Sequence, residues 1–304
     1  MPTITPSAES DAAELADHRE LMALEAKDRN ASCQDLVARI KRSGEVARRD
    51  HGDEESQRCA SDAILECEER SEHCGVDPYP FDVKRDLIEV KSGDPRLAYR
   101  FLLLLSIYGI NAGPKGTHGA RLFEQLSVHA AKGYFGVKDA DVAHFGFPRA
   151  NKSGFKKALA NLCRTALREG SPSRRSPNIA NAQDGSLDVV VWRPFPDARA
   201  GKFIGFGQCA AGRDAAGGDK LCSLEPSGFM RTWLEEQFGC KPVRLFFVPE
   251  RLLLNQWRDR VMQLEGVLFD RCRIAATARD LPADLRDQLK AWVEFVLAKR
   301  VRTP

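Results

Sequence analysis

The chain has 304 residues, with 46 Lys and Arg against 43 Asp and Glu, 43% hydrophobic and 29% charged. That balance excludes a disordered or fibrous polymer and leaves enough chain for about two domains with buried cores. No apolar run nears the roughly 18 residues of a membrane span, the polar start MPTITPSAESDAAELADHRE has no apolar leader, and the nine cysteines include no CxxC pair. A cytoplasmic protein with free thiols is therefore expected.

Charge is divided unevenly. Residues 1–95 carry 13 Lys and Arg against 23 Asp and Glu, whereas residues 96–304 carry 33 against 20. A basic part suits a polyanion, and an acidic part suits a protein partner or masks the basic surface within the molecule. In chain order, 7–29 and 32–49 are polar and helix-favouring, with weak apolar periodicity at Leu15, Leu21, Leu24, Leu36 and Ile40, and are predicted as exposed helices. His73-Cys74 beside Cys67 is half of a zinc site without a second half, and structural zinc needs four ligands. Asp77-Pro78-Tyr79-Pro80 and Ser92-Gly93-Asp94-Pro95 break regular structure, because proline biases its predecessor to extended backbone. A buried helix over 97–110 then leads to the glycine-rich loop 111–116. The domain boundary is placed there, with 1–112 an acidic helical accessory region and 113–304 a second domain.

Over 118–134, Leu122, Phe123, Leu126, Ala130 and Tyr134 recur at helical spacing, with Glu124 beside the stripe. A second helix over 154–169 has a Phe155, Leu159, Leu162 stripe and a basic remainder, and a basic loop follows it. Residues 149–175 hold eight basic residues against one acid, Glu169. Lys152, Lys156, Lys157, Arg164, Arg168, Arg174 and Arg175 are the candidate nucleic-acid contacts. Beyond residue 186 the period changes. Strands are predicted over 187–192, 202–209, 243–248 and 266–274, and helices over 228–238, 252–264 and 282–300. Alternation of this kind predicts an α/β domain. Trp233, Trp257 and Trp292 lie on apolar helical faces and read as core. Neither a GxGxxG nor a GxxxxGK[ST] loop is present, which lowers nucleotide-binding readings.

Phosphodiester hydrolysis uses a hard cation, and hard cations are held by clustered oxygens. Three such oxygens come in order: Glu124 on a helix, Asp188 at the start of one strand, and Gln208 at the end of the next. With Phe123-Glu124, Gly185-Ser186-Leu187-Asp188-Val189-Val190 and Phe206-Gly207-Gln208-Cys209, the stretch 118–250 resembles the restriction-endonuclease-like PD-(D/E)xK nucleases. It is most similar to the Mrr-type restriction enzymes, which have Gln in the motif. The resemblance implies a mixed sheet flanked by helices and an Mg²⁺- or Mn²⁺-dependent endonuclease acting on DNA, a restriction or anti-phage effector. It implies Asp188 as the principal metal ligand, Gln208 as a second and Glu124 as an outer contributor. The family's lysine would fall at Ala210, and Lys220 or Arg213 is the cation near enough in sequence to replace it. An alternative is an inactive nuclease fold that serves as a nucleic-acid-binding or adaptor subunit. Cys209 as a nucleophile, with His144 or His129 as its base, is a weaker reading than Cys209 as a buried apolar residue.

Overall fold

A computed structural model of the chain describes residues 6, 10–42, 52–75, 77–93, 96–146, 154–174, 185–212 and 218–301. The centre is a mixed five-stranded sheet of β4 (Asp141–His144), β6 (Val189–Trp192), β7 (Ile204–Cys209), β9 (Val243–Phe247) and β10 (Val267–Phe269), in the order β10-β9-β7-β6-β4. β6 runs antiparallel to both of its neighbours, β4 and β7, whereas β7, β9 and β10 run parallel to one another. All four residues of β6 are buried, as a strand covered on both faces requires.

Helices cover those faces. Val189, Val191, Leu245 and Phe247 pack with α4 (Leu97–Tyr108), α5 (Gly119–Phe135) and α11 (Ala283–Val301). Val190, Trp192, Ile204 and Phe206 pack on the other side with α6 (Phe155–Asn161) and α8 (Pro226–Trp233). The molecule is thus mixed α/β, and among the described residues no helix is long and apolar enough to cross a membrane.

The N-terminal elements are α1 (Ala12–Glu25), β1 (Asn30–Ser32), α2 (Cys33–Arg42), the 23-residue α3 (Gly52–Cys74), β2 (Phe81–Val83) and β3 (Leu87–Val90), with the strands in a second sheet. The expectation of an exposed helix is corrected for the first of the two; α2 buries only Leu36, Val37 and Ile40 and exposes Asp35, Lys41 and Arg42. In α1, Leu15, His18, Arg19, Glu20 and Leu21 are all buried, because the charges are paired inside the protein. Arg70 of α3 reaches Asp17 at 2.7 Å, Glu20 at 3.1 Å and Glu66 at 2.8 Å. From the far end of the chain, Arg271 reaches Asp17 at 2.5 and 2.8 Å. Tyr79 and Tyr99 hydroxyls donate to Glu20 at 2.8 and 2.9 Å. Burial raises the Asp17 carboxyl, but Arg271 and Arg70 outweigh it and hold the pKa at about 2. For Glu20, burial wins and pushes the carboxyl up.

The boundary expected near residue 112 is spanned by one core, which joins Leu21 and Leu97–Leu105 residues to Leu122, Val189 and Trp292. Two later elements also differ from expectation. The helix expected over 228–238 stops at Trp233 and continues as β8 (Leu234–Glu236), which pairs with β5 (Ser171–Pro172). The strand expected over 266–274 turns into α10 (Arg271–Thr277) because Asp270 caps it, accepting from Arg273 N at 3.0 Å; a side-chain oxygen there satisfies an otherwise unpaired N–H of the first turn.

Candidate metal and phosphodiester site

Glu124 is carried by α5, whose apolar stripe of Leu122, Phe123 and Leu126 packs into the core and leaves the carboxylate half-buried beside the sheet. Opposite it, β4 and β6 pair with His144 facing Val189. One step past the pairing, Asp188 O accepts from Phe145 N at 2.7 Å and from Gly146 N at 3.2 Å, and Asp188 N donates to Gly207 O at 2.9 Å. The backbone ladder therefore sets Asp188, His144 and the end of β7 side by side. Asp188 is 9% exposed, and its Oδ2 accepts from Cys209 N at 2.8 Å.

The convergence is measured at Gly146. A Cβ added to that glycine would lie 2.6 Å from Glu124 Oε2, 3.1 Å from Asp188 Oδ1 and 3.1 Å from His144 Nε2. Two carboxylate oxygens and an imidazole nitrogen thus surround one point that only glycine leaves clear. Glu124 Oε2 and His144 Nε2 are 2.6 Å apart, with side chains 15% and 18% exposed.

Other expected residues lie nearby or elsewhere. Lys220, on the short α7 (Gly218–Leu221), folds back over the segment after β7, its Nζ 3.7 Å from where a Cβ on Gly212 would be. Lys220, Glu124 and Cys209 share the wall of a cavity of about 450 Å³. Gln208 does not join Glu124 and Asp188: its Oε1 accepts from Ser223 Oγ at 2.8 Å, on the strand face that also carries Phe206 and Ala210. Ala210, at the family's lysine position, is buried among Leu221, Phe246 and Val248. Cys209 is a poor nucleophile, since burial and then the charges of Asp188 and Glu124 push its thiol well above the ordinary range. Arg213 and the basic residues Lys152 and Arg175 lie outside the described residues.

Lys156, Lys157, Arg164, Arg168 and Arg174 are all exposed. Glu169, the acid among them, turns inward to buried Lys202 at 3.3 Å, so that charge does not neutralise the basic face. Phe155 at the start of α6 packs edge-on against Phe145 with ring centroids 5.9 Å apart. Since Phe145 precedes Gly146, this contact anchors the basic helix beside the carboxylates.

Among the described residues no three His, Cys, Asp or Glu side chains are grouped to hold a metal ion by themselves. Mg²⁺ asks for less, because it is often bound by one or two carboxylates and completes its shell with water and substrate phosphate. Glu124 and Asp188, with hard oxygens on either side of Gly146, fit that smaller demand. Gln208, bonded to Ser223, does not. The residue that sequence reasoning passed over is His144, named there only as a base for Cys209. Its pairing with Glu124 depends on a strand partner 45 positions away, and no local pattern marks it.

No family model and no curated protein matches this chain. Among solved structures, protein VC1899 from Vibrio cholerae aligns over 87% of this chain and 82% of its own, at 13% identity and a TM-score of 0.18. A score that low does not establish a shared fold.

Proposed function

We propose that this protein is a divalent-metal-dependent nuclease that hydrolyses DNA phosphodiester bonds, with a restriction-endonuclease-like catalytic region and a role as a restriction or anti-phage effector. The observation that carries the reading is the meeting of Glu124 and Asp188 oxygens at Gly146. The mixed sheet flanked by helices supports it, with the Glu-bearing helix first, Asp188 immediately before β6, and Gln208 on the paired strand β7. Glu124 and Asp188 would hold Mg²⁺ or Mn²⁺, which when bound supplies Lewis acidity to the phosphate and to water. Lys220, which lines the same cavity as Glu124, would supply the cation that offsets negative charge growing on the phosphate. The exposed face of α6 binds the DNA backbone through counterion release. The defence role comes from the family resemblance alone, and a docking role for the N-terminal region from its excess of acidic residues.

A second reading, an inactive fold that binds nucleic acid within a larger assembly, is favoured by one observation: the lysine position is Ala210, sealed in the core. Incubating the purified chain with supercoiled plasmid and Mg²⁺ or Mn²⁺ separates the two. Metal-dependent nicking or linearisation supports the nuclease. Binding without cleavage under every metal selects the second reading.

Gly146→Ala tests the convergence point. The added Cβ meets Glu124 Oε2 at 2.6 Å, and since that atom is the end of a flexible side chain, the carboxylate moves and the fold does not. Stability by denaturant titration should change by less than about 1 kcal/mol, while plasmid cleavage falls by about a hundredfold, the order expected for an ångström of misplacement. Cleavage at the wild-type rate would detach Glu124 from the site.

A further inference from the structure

We propose that His144 is a positioning residue of this site, its imidazole Nε2–H fixing the Glu124 carboxylate that, with Asp188, holds the divalent ion. The inference rests on the reading of Glu124 and Asp188 given above. A carboxylate only accepts hydrogen bonds, so across the 2.6 Å contact the ring nitrogen donates. The short separation is that of a charge-assisted bond, in a setting where both side chains are more than four-fifths shielded from solvent.

Glu124 needs such a partner. A glutamate has three side-chain torsions, and its rotamer freedom is among the largest to be lost on ordering. α5 brings the residue to the sheet edge, but among the described residues no backbone bond holds the carboxylate as Cys209 N holds Asp188. His144 supplies the restraint from a rigid base, because it is the last residue of β4 and pairs in register with Val189. The next two N–H groups, of Phe145 and Gly146, both donate to Asp188 O. The same hydrogen bonds that seat Asp188 therefore seat His144, and through it Glu124. The two carboxylates are referenced to one stretch of backbone, although they come from elements 64 residues apart in sequence. Hydrogen-bond partners of metal-holding carboxylates usually contribute about 10- to 100-fold in metal affinity.

The test measures Mn²⁺ binding to the purified full chain, without nucleic acid, from the electron paramagnetic resonance signal of free Mn²⁺. Wild type is compared with His144→Leu, which removes the donor, His144→Gln, whose amide N–H replaces it, and Asp188→Ala. His144→Leu should weaken binding by about 10- to 100-fold, and His144→Gln should recover most of that loss. Wild-type affinity in His144→Leu overturns the inference, and so does a loss in His144→Gln as large as in His144→Leu. Asp188→Ala separates the two levels. If it weakens binding while His144→Leu does not, only the role of His144 falls; if wild type itself binds no Mn²⁺, the metal reading of the site falls with it. Should His144→Leu fail to fold, wild-type protein labelled with ¹⁵N-histidine decides. The Nε2 resonance of His144 should shift on adding Mg²⁺, and an unmoved resonance overturns the inference.

Discussion

Asp188→Ala is expected to lower metal-dependent plasmid cleavage by about a thousandfold or more, which corresponds to about 4 kcal/mol of lost transition-state stabilisation. The substitution removes the carboxylate whose Oδ1 faces Gly146 and Glu124. It also removes the acceptor for Cys209 N, and an unmet buried donor costs about 1–3 kcal/mol. Asp188→Asn separates these effects, because its amide oxygen still accepts from Cys209 N while the charge is gone. Stability should therefore be near wild type in Asp188→Asn and modestly reduced in Asp188→Ala, with cleavage strongly reduced in both. Duplex DNA binding measured in EDTA should be unchanged, since the exposed cations of α6 are untouched. Wild-type cleavage in Asp188→Ala would end the assignment of this site.

The largest stability effect is expected at the other end of the molecule. Arg271 is fully buried and its side chain donates four hydrogen bonds among the described residues: two to Asp17 of α1, one to Ser106 Oγ of α4 at 2.7 Å and one to Pro249 O at 3.0 Å. Arg271→Leu fills much of the volume and leaves Asp17 with one cation in place of two, next to the buried Glu20. Breaking a buried pair by removing one partner costs about 3–5 kcal/mol, because the remaining charge stays out of water. Urea denaturation should show a loss of this size. Arg271→Leu combined with Asp17→Leu should be less destabilised than the two single losses added together, since the second change removes the stranded charge. A single-variant loss below about 1 kcal/mol would show that the network contributes little to holding the chain termini together.

How much of this was legible beforehand varies by element. Helix α5 was legible because Leu122, Phe123, Leu126 and Ala130 repeat at 3–4 residue spacing, and α4 because 97–110 is almost wholly apolar. Strands β6, β7 and β9 stood out as short β-branched and aromatic runs between turn residues. Helix α3 was not read, because its buried stripe is made largely of small residues, Cys59, Ala60, Ala63 and Cys67, with Glu66 and Arg70 buried beside them and paired only in the folded protein. The edge strand β4 was missed for the same kind of reason: Asp141 is exposed and the other three residues only partly buried, so little hydrophobic pattern marks it.

For the site, sequence alone determined the order and chemistry of the groups: a carboxylate on a helix, another at a strand start, a basic helix between them in sequence, and no lysine two residues after Gln208. Which of them meet was decided by tertiary structure. Strand alternation turns Gln208 toward Ser223 while Cys209 packs beside Glu124, a one-residue difference in facing that depends on which side of β7 the helix α5 covers. The partner of Glu124 is His144, set by the β4–β6 register, and the burial of Asp17 and Glu20 on α1 goes with guanidinium groups arriving from α3 and α10. A charge written in the sequence has no fixed environment until the chain closes around it, because solvation and pairing depend on groups tens to hundreds of residues away.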